Sequence, residues 1–443
     1  MKTLLLIVLC CVVLSTQAAT FTVNSTADNV DNSPGDGICQ DIAGFCTLRA
    51  AIQESNALVG ADTIYLQRST VYPLSLNSGA HADLYGDLNI KDDLTLSIIN
   101  PTIPATSVLE LPIIDANGID RVFSISSASE VTLMGLYITG GDASVNSSNI
   151  SGGGIYVESN VSQFNLLNSV VSQNNAVSGG GLTSWAANSL ISFSDISRNF
   201  LVAGSLNSDG AAILNRNGEM KIQYSTIYNN SKDSAIPGCA EAVLNQNSAQ
   251  AMYVLSTDIS YNGYLYAQTE CVDGLYSQNG GLYIVNVTLN ENSGYGLNFY
   301  DYPPANFELF MRNSLINNSG IQNCRSLGTG FVNLGDSNGG HNIDSGSSCG
   351  LPAVSGNLSN TNPMLKPARA LFDGLYFLYH ELMPHSPALD GGSALPVNIG
   401  NPHACQQFDQ LLRTRPMDGN GDAVPVCDIG AVESDLIFGD GFE

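Results

Sequence analysis

The chain has 443 residues, with 40 Asp and Glu against 15 Lys and Arg, and a formal net charge of −25. A field of that sign repels nucleic acid, anionic membranes and, unless a cation bridges them, polyuronates. Only 12% of residues are charged while glycine alone numbers 44, which favours turn-rich β structure over charged surface helices.

At the N-terminus, Lys2, the apolar run from Leu4 to Leu14 and the small residues around Ala18 follow the order of a secretory signal peptide. The run is too short to span a bilayer, so cleavage after Ala18 is expected, and residues 1–18 are read as the signal. The mature chain is then extracellular or at the cell surface, with no transmembrane segment of its own. Of ten cysteines, Cys10 and Cys11 fall in the signal, leaving eight. An even set in a secreted chain implies disulfides. Sequence does not fix their connectivity; nearest-neighbour pairing is expected, giving Cys39–Cys46, Cys239–Cys271, Cys324–Cys349 and Cys405–Cys427. A zinc site is the weaker reading, since no CxxC pair occurs and His is scarce.

Residues 19–130 read as an N-terminal cap and first, irregular coils. Thr47 to Asn56 is the one helical stretch, with Leu48, Ala51, Ile52 and Ser55 on one face and Thr47 as N-cap. A short helix suits the end of a solenoid, where apolar core and strand edges would otherwise be open. Candidate strands include Asp62–Leu66, Gly86–Ile90, Leu94–Leu96 and Arg121–Ile125.

Residues 131–318 repeat. An apolar strand residue is followed three positions later by Gly or Asn at Ile138/Gly141, Val171/Asn174, Ile196/Asn199, Ile227/Asn230, Ile259/Asn262, Leu289/Asn292 and Leu315/Asn318. The Gly and Asn positions stand about 25 to 33 residues apart, a solenoid period. Between them lie period-two runs such as Ile222 to Ile227 and Leu282 to Val287. The fold class is therefore all-β, a right-handed parallel β-helix. The recurring Asn suits a ladder of stacked amides at one corner better than a ligand site, because a residue repeated once per coil serves the fold first. After Asn318 the period is lost. Residues 319–434 read as last coils and a disulfide-bearing C-terminal cap, and 435–443 as a short tail.

Cys46-Thr47-Leu48-Arg49-Ala50-Ala51-Ile52, the preceding Asp31 to Cys39, and Ile114 to Phe123 resemble the start of CSLREA-domain proteins. Gly340 to Ile343, Ser386 to Asp390, Arg415 to Asp422 and Cys427 to Glu433 resemble the choice-of-anchor region of bacterial β-helix proteins, and the tail resembles IFADGFE-like endings from Gram-negative bacteria. The resemblance implies a secreted bacterial β-helix and carries no agreed reaction. Ala50 departs from the usual Glu, and Leu411-Leu412 interrupts the usual Asp-Gln-Arg-Gly.

The fold class also hosts polysaccharide lyases and glycoside hydrolases, so a carbohydrate-active enzyme is the alternative to a structural or adhesive binding role. Asp195 and Asp258 occupy matching coil positions and are the only candidate catalytic pair. Thr226 stands between them and they lack a basic neighbour, so solvated surface acids are the expectation. Gly346-Ser347-Ser348-Cys349-Gly350 matches a nucleophile-elbow pattern but sits in a Ser/Gly loop with no helix to follow. Asp418, Asn420 and Asp422 alternate as in calcium loops, with an Asp/Gly turn as the equal alternative; Asp28, Asp31 and Asp36 form a weaker set. No other cofactor is indicated. Nine of the 18 tyrosines lie between Tyr253 and Tyr302. Tyr264, Tyr266, Tyr300 and Tyr302 are candidates for binding a glycan or a cell-surface protein, against the plainer reading of internal aromatic stacks.

Overall fold

The computed structural model describes residues 18–77, 84–101, 107–145, 150–204, 209–246, 250–263, 271–300, 307–317, 319–325, 331–333, 339–372, 376–393 and 404–435. All but the last residue of the expected signal peptide and all but the first residue of the expected tail lie outside the described residues.

The chain winds as a parallel β-helix with three long sheets. Sheet one has 11 strands, from Thr20–Thr22 to Phe331–Asn333; sheet two has 9, from Leu88–Ile90 to Gln322–Arg325; sheet three has 11, from Val71–Pro73 to Leu358–Ser359. Each regular coil gives one strand to each sheet, as Ile213–Arg216, Glu219–Gln223 and Thr226–Tyr228 do in sheets two, one and three. Alternation assigns the faces. In Glu219–Gln223, Met220 and Ile222 are buried inside and Glu219, Lys221 and Gln223 are half-buried outside. In-register pairing then stacks like on like: Ile191, Ile222, Val254, Ile284 and Met311 form one interior row. The coils expected to be irregular before residue 131 already hold this register, with Leu94 opposite Val131 and Ile114 opposite Ile138.

The corner after sheet three carries the expected amide ladder. Asn199 donates from its backbone and its Nδ2 to Asn230 Oδ1 at 3.0 and 3.1 Å, and Asn230 does the same to Asn262 Oδ1 at 3.0 and 3.0 Å. Asn174 and Asn292 extend the row, while Asn318 lies outside the described residues. The residue before each ladder Asn (Gln173, Arg198, Asn229, Tyr261, Glu291) is left-handed, with φ between 50 and 61°. This conformation is costly for non-glycine residues, and the amide bonds hold the bend. A second ladder went unseen in the sequence. Between sheets one and three, the hydroxyls of Ser169, Ser194 and Ser225 each accept the backbone N–H of the matching residue one coil earlier, at 3.2 to 3.3 Å.

The helix runs Leu48–Ala57, and the Thr47 hydroxyl accepts Ala50 N–H at 3.1 Å. Its expected apolar face is buried, but so are Arg49, Ala50 and Glu54. Arg49 Nε meets Asp28 Oδ1 at 2.6 Å and its Nη2 donates to the Gly86 carbonyl; Glu54 accepts the N–H groups of Gly35 and Gly37. The polar residues of this helix thus hold the N-terminal loops on the first coils.

All four disulfides have the expected pairing, with Cα separations of 5.0, 4.5, 4.7 and 6.6 Å. Residues 319–359 add the last strands to the sheets, and the segment that follows folds back along the outer face of sheet three. The antiparallel hairpin of Arg369–Phe372 and Tyr376–Tyr379 lies against Thr226–Tyr228. Leu382, Ala388 and Ile429 pack on Leu315 and Ile343. Farther along, Gln406 N–H donates to Asn286 Oδ1, Gly430 N–H to the Asn313 carbonyl, and Ala431 N–H to the Thr288 hydroxyl.

Candidate functional site

Asp195 and Asp258 are neither solvated nor open to a substrate. They are 1% and 0% exposed, sealed beneath the C-terminal segment. Asp195 Oδ2 accepts Phe377 N–H at 2.6 Å. Asp258 Oδ2 lies 2.7 Å from His380 Nδ1, whose Nε2 lies 3.1 Å from Asn290 Nδ2 and 3.2 Å from the Tyr261 hydroxyl. Alternation in sheet three puts both acids outward, as the sequence implied; what the sequence did not show was the layer laid over them. Burial pushes the Asp195 carboxyl up to about 6, with the Phe377 N–H opposing. Burial alone would lower His380, but the Asp258 carboxylate outweighs it and the imidazole ends above its ordinary value.

Other motif residues in the C-terminal segment are structural as well. Arg415 pairs with Glu433, both fully buried, and Asp428 accepts the N–H groups of Asp390 and Ser434. Asp418 accepts Gly421 and Ala423 N–H, Asn420 accepts Asp422 N–H, and Asp422 accepts Val424 N–H, which is the side-chain-to-backbone bonding of an Asp/Gly turn. Asp28 is committed to Arg49, Asp31 accepts Ser33 and Gln40 N–H, and Asp36 accepts Ile38 N–H. Cys349 of the elbow-like motif is in a disulfide, and Ser348 Oγ accepts Cys324 N–H.

With sheet three covered and the outer positions Thr183, Leu214, Leu244 and Asn298 of sheet two buried, the open surface is the outer face of sheet one and the downstream edge of sheet two. Short connections join them, such as Asn217-Gly218 between Arg216 and Glu219, so the end of each sheet-two strand lies near the start of the next sheet-one strand. Register aligns Arg216, Gln246, Gln278 and Tyr300 along sheet two, all half-exposed. Trp185 continues the row, with the Arg216 guanidinium 5.3 Å from its ring centre. Gln246 Nε2 donates to Gln278 Oε1 at 3.2 Å. On sheet one, Lys221, Tyr253 and Tyr283 align; the two rings stack at 4.9 Å and 18°, and the Tyr283 hydroxyl donates to Glu308 Oε2. Tyr300 thus takes the open position expected of it, whereas Tyr264, Tyr266 and Tyr302 lie outside the described residues. The stacked tyrosines stand on the outside of the helix, against the plainer reading of an internal stack.

Sheet two also brings together acids that sequence spacing did not single out. Glu241 and Asp273 are direct register partners on adjacent coils, and the Cys239–Cys271 disulfide ties those coils two residues upstream of each. Burial, then repulsion by Asp209 and Asp273, pushes Glu241 well above the usual carboxylate range. Burial also raises Asp273, against the opposing Tyr295 N–H and Asn298 amide. Tyr276, three residues farther along the same strand, is pushed up to about 12 by burial and by Glu241.

No family model matches the chain, and no curated protein matches it. Among solved structures, a pectate lyase described as Pel9A is similar at 13% identity over 95% of this chain and 98% of that one, with a TM-score of 0.49. A rhamnogalacturonan lyase is similar at 12% identity over 73% of this chain and 87% of that one, with a TM-score of 0.37.

Proposed function

We propose that this protein is a secreted β-helix, of the CSLREA and choice-of-anchor type, that holds a neutral glycan along the joined faces of sheets one and two. One observation carries the reading: half-exposed aromatic rings and amides repeat in register where sheets one and two meet, at the Trp185–Tyr300 row and the Tyr253–Tyr283 stack. Rings offer apolar faces to pyranose C–H groups, and Gln and Arg offer hydrogen bonds to ring hydroxyls. Rows repeating every ~4.8 Å suit an extended polymer better than a compact ligand. The net charge of −25 disfavours acidic sugars. Four disulfides fit an oxidising compartment, and no described helix is long and apolar enough to cross a membrane.

The test is a glycan array with the processed protein and its Trp185→Ala and Tyr283→Ala variants. Binding to a neutral polysaccharide, weakened at least about tenfold by either substitution, is the expected result; each stacked ring is worth on the order of 1 kcal/mol or more. Retained affinity in both variants, or binding confined to protein ligands, would overturn it. The same array reads cleavage: new reducing ends would make the protein a carbohydrate-active enzyme.

A further inference from the structure

The part of sheet three beneath the C-terminal segment keeps the chemistry of a solvent-facing surface. Its outward rows run Asp195, Thr226, Asp258 and Ser197, Tyr228, Ser260, each at most 1% exposed. Four of these side chains hold a buried oxygen with no hydrogen-bond partner: Asp195 Oδ1, Thr226 Oγ1, Asp258 Oδ1 and Ser260 Oγ. Unpaired buried polar atoms are costly and water would satisfy them, so this face parts from its cover more easily than an apolar core would. Phe377 and His380 fasten the cover here. Phe377 N–H donates to Asp195 Oδ2 at 2.6 Å. His380, 3% exposed, sets Nδ1 2.7 Å from Asp258 Oδ2 and Nε2 3.2 Å from the Tyr261 hydroxyl. Both fastenings end on carboxyls. An apolar anchor lies farther along, where Leu382, Ala388 and Ile429 pack on Leu315 and Ile343.

We propose that residues 376–380 form a proton-operated latch, fastened in acid and lifting from sheet three more readily as pH rises, while the apolar anchor keeps the segment tethered. In acid, His380 carries its proton and pairs as a cation with the Asp258 carboxylate. Burial lowers the imidazole, but Asp258 and then Glu291 on the next coil outweigh it, so the closed form holds that proton more tightly than the open form. Asp195 works in the same sense. Burial raises it to about 6, against the Phe377 N–H, Ser197 and Arg198, so closure retains its proton too. Tyr261 is pushed up to about 12 by burial and by Glu291, and stays neutral. The chain neighbours of His380 are Tyr379 and Glu381, the latter bonded to Lys366 at 3.2 Å. The contribution of His380 is full below pH 6.5 and that of Asp195 below pH 3.8, and each is lost as pH rises through the closed-form value. The closed form stays the major one throughout, so sheet three remains covered and the change lies in how often the latch opens. The latch does not depend on the glycan reading.

The test is hydrogen exchange of the intact protein at pH 5 and pH 8, read by mass spectrometry of peptides spanning 376–381 and corrected for the intrinsic exchange rate. Protection of that stretch is expected to fall at least about tenfold at pH 8, while the solenoid strand Leu282–Val285 stays protected over the same exchange times. Asp195→Asn keeps an oxygen for the Phe377 N–H and should reduce the fall. Asp195→Asn combined with His380→Gln should abolish it. Equal protection of the wild type at both pH values, or loss from 376–381 and 282–285 together, would overturn the latch. So would a double variant that shows the wild-type fall. If the double variant is unprotected at both pH values, Asp195→Asn alone decides, and an undiminished fall there overturns the proposal.

Discussion

Replacing Asn230 with alanine is expected to cost about 3–5 kcal/mol of stability, far more than an exposed Asn of the same type. The Asn230 carboxamide is fully buried. Its Oδ1 accepts Asn199 N–H and Nδ2–H, and its Nδ2 donates to the Ile196 and Tyr228 carbonyls and to Asn262 Oδ1. Truncation leaves the backbone N–H of Asn199 without a partner and takes a donor from several buried oxygens. Each such loss costs roughly 1–3 kcal/mol where water cannot enter. Asn230→Asp should be at least as damaging, because a second oxygen would face three acceptors. Asn188, exposed on sheet one, is the control, with an expected effect of about 0.5 kcal/mol or less. Chemical denaturation of the two alanine variants measures the difference; equal midpoints would contradict the ladder's energetic role.

The protein is expected to lose stability as pH rises from about 4 to 8. Asp195 is raised in the folded state to about 6 from an ordinary 3.8. The fold therefore holds a proton that the unfolded chain releases, and the stabilisation, complete below about pH 4, disappears as pH passes about 6. Two units correspond to roughly 3 kcal/mol for this one buried group. His380 acts in the same direction: its raised folded value makes its contribution full below pH 6.5 and lost as pH rises through that folded value. Asp87, raised by burial to about 6, and Glu241 add to the trend outside the C-terminal segment. Melting temperatures across this range should fall toward pH 8, and Asp195→Asn should flatten part of the fall by stabilising the protein at pH 8. A melting temperature that climbs with pH, or an Asp195→Asn variant that is weaker at pH 8, would show that the carboxyl is not buried as described.

The sequence made the solenoid legible because its cause is local and repeated. Period-two alternation in Ile222 to Ile227 and an Asn once per coil are readable without tertiary knowledge. The serine ladder escaped notice because Ser169, Ser194 and Ser225 lie among many other serines in a serine-rich chain. The acidic cluster escaped for a different reason. Glu241 and Asp273 stand 32 positions apart, but their neighbours share no motif, and only strand register makes them adjacent. Asp195 and Asp258 were placed on the correct face and given the wrong surroundings. Period and alternation say which way a side chain points; they do not say that a segment some 180 residues later returns to cover it. The Cys46–Ile52 and Arg415–Glu433 stretches are legible as motifs; the buried Arg49–Asp28 pair ties an N-terminal loop to the helix, and the buried Arg415–Glu433 pair braces the C-terminal segment internally.

Thiol labelling measures most directly whether sheet three is sealed and the Trp185–Tyr300 edge of sheet two open. The eight cysteines of the described chain are paired, so an introduced cysteine reports its own site. Thr226, 0% exposed under the Tyr376–Tyr379 strand, and Gln246, half-exposed in the Trp185–Tyr300 row, are the two positions to compare. In the folded protein Gln246→Cys should react promptly with a maleimide, and Thr226→Cys only once the chain is unfolded. Equal labelling of the two without denaturant would mean that the C-terminal segment does not cover sheet three, and would return Asp195 and Asp258 to the surface.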